Sequence, residues 1–383
     1  MGHQTGGSTK NKVRQIWLPL TAVALAAAAC GNDAQGADGG DGECYSPGDR
    51  IELIVPFGEG GGTDTTARLA APFLADLMDL DIQVVNIPGG GSILGANRYV
   101  NQTEPDGQSW LMTSASTQVP VIVNQEGVEF AFDDLTPIAG FPLGGVIYAR
   151  SDNDIIGEAA DLTGERQSEQ YTYAGQPAAG GELRILLIFE MFEADVNTVL
   201  GYDGRGPARV AWEQGESDLG YDTAPAYIAS VEPLVEDGDA QALMSFGSVE
   251  GGELVRDPQF PDLPSPLEVY EEVYGEPPSG EVVDAYVTMA VATISLNKAL
   301  TMHADAPQNC KDELAAAWQE LSQDEEFLAA AEAELGGYDI LLGEDAQTAW
   351  DDMGEVESSS IDWLLQWVED TYDVRLDEEG AEG

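Results

Sequence analysis

The residues in this chain that can do chemistry are mostly backbone amides, hydroxyls and one strand-end acid. Phe57 precedes a loop containing Gly60, Gly61, Gly62, Thr63 and Asp64, and residues 65–78 then carry the apolar spacing of a helix. A glycine loop that opens into a helix gathers free N–H groups and the positive end of the helix dipole at one point, which makes an anion receptor. Thr63 or Asp64 is placed to cap that helix. The second half of the chain repeats the arrangement, with Gly175, Gln176, Gly180 and Gly181 ahead of an apolar segment at 182–192. Two more strand ends carry polar groups: Ser114 and Ser116 in one case, Asp222 in the other. The chemistry on offer is the holding of a small anion by neutral donors, with one receptor in each half. Taken singly, each loop is equally a tight turn between strand and helix with no ligand.

Sharper chemistries fail on spelling. A phosphate-binding P-loop needs Gly-Lys-Ser/Thr at its end, and a dinucleotide fingerprint needs glycine or alanine where Thr63 stands. The chain has no Gly-x-Ser-x-Gly elbow, no His-x-x-x-His pair and no Cys-x-x-Cys, and His303 has no nucleophile beside it. Asp152-Asn153-Asp154 begins like a calcium loop, but Ile156 sits where an oxygen ligand is required. The expectation is a binding protein with no catalytic residue, cofactor or metal.

The elements that must position these loops are read from hydrophobic patterning. The run 51–55 is a buried strand ended by Pro56, and 82–85 and 109–113 are further strands, each followed by a polar or glycine-rich turn. Such βα-like units in succession predict a parallel sheet, with ligands at the carboxyl ends of the strands. Residues 138–149 are apolar and broken by Gly144-Gly145, which suits a crossing between domains. The pattern then restarts with strands at 171–174, 196–200 and 219–222, and a strand at 240–246 leads back. Amphipathic helices come next at 313–321, 325–335 and 347–369.

Charge is the unusual compositional feature: 70 Asp and Glu stand against 15 Lys and Arg, a formal net charge of -55 over 383 residues. The acids are spread along the chain, as on a solvated surface suited to high salt. At ~1 M salt the Debye length is only ~3 Å, which screens the self-repulsion. This surface argues against nucleic-acid binding. It also repels an anionic ligand at long range, so local donors must overcome it.

Residues 1–30 read as a secretory signal, with Lys10, Lys12 and Arg14 before an apolar run at 16–29 that is too short to span a bilayer. Ala27-Ala28-Ala29-Cys30 resembles the lipobox of bacterial lipoproteins, which implies lipidation at Cys30 and an anchor on the outer face of the cell membrane, periplasmic or extracellular. Residues 31–44 are a flexible linker rich in glycine, and 376–383 a disordered acidic tail. With Cys30 lipidated, Cys44 and Cys310 remain as an even pair, which in an exported chain points to a disulfide; two free thiols are the alternative.

Several motifs in order resemble the solute-binding proteins of tripartite tricarboxylate transporters, the Bug family. They are Val55-Pro56-Phe57 with Gly60-Gly61, Asp64 and Ala67-Arg68; Asn86 with Pro88-Gly89, Gly91 and Gly95-Ala96; Pro105-Asp106-Gly107; and Tyr202, Gly204, Pro207-Ala208, Gly215, Asp218-Leu219 and Asp222. Gly175-Gln176-Pro177 and Glu182 depart from the family, which has a serine-rich segment and a histidine there.

The resemblance implies an α/β, two-lobed, periplasmic-binding-protein-like (Venus flytrap) fold, each lobe a mainly parallel sheet flanked by helices. Lobe 1 is expected over 45–148 and 249–375, lobe 2 over 149–248. A small carboxylate is expected between the lobes, held without a basic pocket; Arg68, Arg184 and Arg205 either assist or, the favoured reading, sit in surface or structural ion pairs. The implied partners are the membrane permease subunits, with the receptor a monomer. The alternatives are a ligand sensor for a signalling partner, or a calcium-binding or adhesive surface protein.

Overall fold

In the computed structural model the described residues are 43–152, 155–250, 252–354 and 358–375. The signal, Cys30, most of the linker, the acidic tail and the core of the Asp152-Asn153-Asp154 motif lie outside them. The chain opens with β1 (Arg50–Val55), α1 (Gly62–Met78), β2 (Asp81–Asn86), α2 (Ile93–Gln102), β3 (Ser109–Ser114), α3 (Ala115–Ile122) and β4 (Leu135–Phe141). It continues through β5 (Gly145–Arg150), β6 (Tyr171–Gly175), α4 (Leu183–Met191), β7 (Val196–Leu200), α5 (Arg205–Glu213), β8 (Leu219–Thr223), α6 (Ala224–Ser230), α7 (Glu232–Asp237) and β9 (Ala240–Ser245). A short hairpin, β10 (Ser248–Glu250) and β11 (Glu253–Val255), precedes α8 (Pro266–Tyr274), α9 (Glu281–Ser295) and β12 (Lys298–His303). Then come α10 (Gln308–Leu321), α11 (Glu325–Leu335), β13 (Leu341–Leu342), α12 (Glu344–Gly354) and α13 (Ser358–Tyr372).

Two sheets result. The first runs β13-β4-β12-β3-β1-β2 and the second β7-β6-β8-β5-β9. The expectation of mainly parallel sheets is corrected here: both are mixed. β1 pairs parallel with β2 and β3, and β6 with β7 and β8. By contrast β12 runs antiparallel to β3 and β4, β13 to β4, and β5 to β8 and β9. The reason is the crossing. A βα unit returns to its own sheet in parallel, whereas β5, and β12 after the hairpin, α8 and α9, come over from the side of the other sheet, where nothing requires a parallel entry.

The register of β12 fixes the position of a buried lysine, since it pairs Lys298 with Ser114 on one side and with Phe141 on the other. That puts Lys298 level with the carboxyl end of β3. The segment 249–375, expected with the first lobe, divides between the layers. β12, β13, α10 and α12 pack on the first sheet, while α9 and α13 stack on each other and α9 lies on α4 of the second. Val283, Tyr286, Met289, Leu364 and Val368 accordingly share a core with Leu186 and Phe189 of α4.

Cys44 and Cys310 are joined in a disulfide, with 5.0 Å between their Cα atoms. It fixes the start of the described chain to α10, beside Tyr45, whose hydroxyl donates to the Gly107 carbonyl at 3.0 Å.

Among the described residues, no helix is long and apolar enough to cross a membrane, and no group of three or more His, Cys, Asp or Glu is placed to hold a metal.

Candidate functional site

The carboxyl ends of the two sheets face each other and enclose a polar cavity of about 30 Å³. On a scale where one water needs about 10–15 Å³, the space as it stands holds about two or three waters, so a whole solute of any class needs the two walls to part. From the first sheet, Phe57, Gly61, Gly62 and Thr63 line it at the start of α1, and Ser114, Ala115 and Ser116 at the start of α3. Asn297 and Lys298 reach it from the start of β12. From the second sheet come Gln176, Arg184, Arg205, Tyr221 and Thr223.

Of the residues expected at the site from sequence, Phe57, Gly61, Gly62, Thr63, Ser114, Ser116 and Gln176 are therefore brought together. The cap of α1 is Gly61, in extended conformation and with no side-chain cap bond, so neither Thr63 nor Asp64 caps; both sit in the first turn. The N–H groups of that turn are left for a ligand.

The remaining expected residues support the site from behind. Asp64 is buried, and its carboxylate accepts from the Gly60 N–H at 2.9 Å, Arg68 Nε at 2.9 Å and Asn86 Nδ2 at 3.0 Å. It ties the glycine loop to its own helix and to the end of β2. The Gly60 carbonyl accepts from Arg209 Nη2 at 2.9 Å, across the two sheets. Gly175 lets the strand end pass close to its neighbours: a Cβ there would lie 2.7 Å from the Tyr173 ring. The Gly180 carbonyl accepts the Leu183 N–H at 3.0 Å, and the Gly181 N–H donates to Ser116 Oγ at 3.1 Å. Asp222 is fully buried and turned away from the cavity, where its Oδ2 accepts from the Tyr148 hydroxyl at 2.7 Å and from Arg209 Nη1 at 3.1 Å. A strand-end position alone did not reveal which face this side chain takes.

Lys298 is what the sequence reading missed; that reading favours ion pairs over the site for Arg184 and Arg205. The expectation of no basic pocket is corrected: Arg184, Arg205 and Lys298 all line the cavity. Arg205 is neutralised, donating to Glu182 Oε1 at 2.8 Å and to the Tyr173 hydroxyl at 3.0 Å. Burial is the largest single influence and opposes its charge, but Glu182 together with Tyr173, Asp222 and Tyr221 outweighs it and holds the guanidinium pKa well above its ordinary value. Glu182 also accepts the Gln176 N–H at 2.7 Å, so one acid organises the whole second wall.

Arg184 is 1% exposed and stacks over the Phe246 ring at 4.7 Å and the Tyr221 ring at 5.9 Å; among the described residues its Nε, Nη1 and Nη2 meet no hydrogen-bond partner, though Tyr221 is close enough to feel its charge. It was expected in an ion pair and makes none among the described residues. Gln176 Nε2 is likewise without a partner. Lys298, also 1% exposed, donates to Asn297 Oδ1 at 2.8 Å and Thr223 Oγ1 at 3.3 Å. Burial, then the nearby Arg184, push its pKa from the lysine range down to about 7, with Asp222 opposing. The signal for both was a lone cation inside an apolar run: Arg184 in LRILLIF, and Lys298 just after the apolar stretch 282–296.

The wall therefore offers donors and positive charge, and among the described residues no carboxylate lines it. Buried polar groups ordinarily find partners, and a set of unpartnered donors calls for an acceptor. The chemistry it can perform is the capture of an anion.

No family model matches the chain. Relatives of similar sequence include a UPF0065 protein of Bordetella pertussis, 27% identical over 237 residues, 59% of this chain and 68% of the relative. They also include the protein BugT of the same organism, 25% identical over 234 residues with the same coverage. Among solved structures, the periplasmic binding protein BugD matches with a TM-score of 0.65 at 18% identity, covering 87% of this chain and 100% of its own. An R. palustris protein solved with adipate gives 0.64 at 19% identity, with the same coverage. MatC from Rhodopseudomonas palustris with bound malate gives 0.60 at 19% identity, covering 82% of this chain and 100% of its own. At these identities the structures show a shared fold, the two-lobed periplasmic-binding-protein type.

Proposed function

We propose that this chain, a homologue of the Bug-type solute-binding proteins of tripartite tricarboxylate transporters, is an extracytoplasmic receptor for a small carboxylate. The observation that carries the reading is the cavity between the two sheets. It is lined by the N-terminus of α1, the hydroxyls of Ser114 and Ser116, the amide of Gln176 and the buried cations Arg184 and Lys298, with no acid among its lining residues. Two neighbours of this fold are described with malate and with adipate, which supports a small carboxylate as the expected ligand. The role is capture and delivery rather than catalysis. The lobes close on the solute, and the closed form presents it to membrane permease subunits, with the receptor tethered through a lipid at Cys30. Lobe 2 takes in the second sheet, and lobe 1 the first.

The test is a thermal-shift screen in molar salt with mono-, di- and tricarboxylates, acidic amino acids, neutral sugars and divalent metal ions. A ligand at 100 times its dissociation constant adds ~2.7 kcal/mol to stability. Stabilisation by carboxylates supports the reading, and stabilisation by sugars or metal ions alone overturns it.

A further inference from the structure

The two unneutralised cations reach the cavity from opposite sheets. Arg184 stands in the first turn of α4, beside the second sheet, and among the described residues its N–H groups have no hydrogen-bond partner. Lys298 begins β12, in the middle of the first sheet. Its ammonium has three donors; Asn297 Oδ1 and Thr223 Oγ1, both neutral, account for two. Thr223 belongs to the second sheet, so Lys298 also spans the seam between the two.

The charges around Lys298 leave it uncompensated. The strands on either side of it, β3 and β4, carry no titratable side chain. On α1, Asp64 is taken by Arg68, Asn86 and the Gly60 N–H. On β8, Asp222 Oδ2 is held by Arg209 and Tyr148 while its Oδ1 has no partner among the described residues, and the carboxylate acts on Lys298 at a distance; Tyr221 of the same strand lines the cavity beneath Arg184. Arg205 of α5 is paired with Glu182, and α4 contributes Arg184, a like charge. Of α9's titratable groups, Glu281, Asp284 and Tyr286, the one that feels Arg184 is Tyr286. Two buried like charges in one cavity, each short of an anionic partner, repel each other until an anion arrives.

We propose, resting on the receptor reading above, that Arg184 and Lys298 form a two-sided clamp that selects a dianionic carboxylate, and that Lys298 takes a proton from solvent as the ligand enters. The proton adds to the Nζ lone pair, and no bond in the ligand is made or broken. Desolvation and Arg184 leave the ligand-free lysine about half protonated near neutral pH. A bound carboxylate cancels the repulsion and favours the ammonium. Near pH 6 the lysine is already charged and affinity gains nothing further from it. Above the ligand-free pKa, binding must bring in a proton, and affinity falls by up to about tenfold per pH unit. A monoanion of the same length compensates only one of the two cations and binds at least about tenfold more weakly.

The test is titration calorimetry of the purified protein with adipate, malate and hexanoate at pH 6 and pH 8.5, each in two buffers of different ionisation enthalpy. The expected result for adipate or malate is little proton uptake at pH 6 and uptake approaching one proton at pH 8.5. Lys298→Met should bind more weakly with no uptake, and Lys298→Arg should recover part of the affinity without pH dependence. Dicarboxylate binding without uptake at pH 8.5, or uptake that persists in Lys298→Met, overturns the clamp. So does hexanoate binding as tightly as adipate, or a monocarboxylate binding in preference to both dicarboxylates. These outcomes leave the receptor reading standing. Absence of binding by every carboxylate, with sugars or metal ions bound instead, removes both. The wild-type measurements decide the question if a variant does not fold.

Discussion

Gly62 and Thr223 meet across the two sheets so closely that a Cβ on Gly62 would lie 2.1 Å from Thr223 Oγ1. The same added carbon would come within 3.3 Å of Lys298 Nζ. Gly62 is the first residue of α1, so its lack of a side chain serves the approach of the second sheet rather than the helix itself. Gly62→Ala is expected to leave α1 intact, since alanine favours helix, while holding the lobes apart. Ligand affinity should fall at least about tenfold, one power of ten being 1.36 kcal/mol. Small-angle scattering in the presence of ligand should show a larger radius of gyration than the wild type; an unchanged radius and affinity would mean the seam yields at no cost.

Asp64 acts on the site from behind. Its three partners hold the glycine loop in shape, and it does not line the cavity. Asp64→Ala leaves the Gly60 N–H and Arg68 Nε without this acceptor, while Asn86 Nδ2 keeps the Phe57 carbonyl at 3.0 Å, at a cost of about 1–3 kcal/mol. Both stability and affinity should drop. Chemical denaturation alongside calorimetry checks this, and an unaltered affinity would show that the loop keeps its shape without the brace.

The Cys44–Cys310 link closes a loop with a sequence separation of 266 residues. Reduction should cost about 2–4 kcal/mol and lower the melting temperature. Thiol titration of the denatured protein should yield two more reactive groups after reduction than before.

Lys298 also predicts how stability depends on pH. Its folded pKa of about 7 lies below the ordinary value of 10.5. Between these values the unfolded chain binds the proton and the folded, ligand-free chain does not, so stability rises with pH through this window. The slope from one such group is at most about 1.4 kcal/mol per pH unit. Below about pH 7 the group contributes no slope. Buried tyrosines such as Tyr286, raised above their usual range mainly by burial, bend the curve down again above about pH 10. Urea titrations from pH 6 to 9.5 should show the rise in the wild type and its loss in Lys298→Met; an equal slope in both would assign it elsewhere.

Local patterning alone determined the βα units, the glycine loop that opens α1, and the polar strand ends at Ser114 and Ser116. In these, function derives from backbone geometry over a few consecutive residues. The second loop was legible as a loop, and of its expected residues Gln176 faces the cavity while Gly175, Gly180 and Gly181 provide close approach and seam contacts. Only the tertiary structure decided the rest. β12 enters from the second sheet and runs antiparallel between β3 and β4, which brings Lys298 level with Ser114. No local periodicity encodes that register. Arg184 becomes a lining group because α4 buries it against Phe246 and Tyr221, and Asp222 drops out because Tyr148 and Arg209 hold it on the other face. The charge of the cavity is therefore a property of residues far apart in sequence, whereas its backbone donors are a property of neighbours.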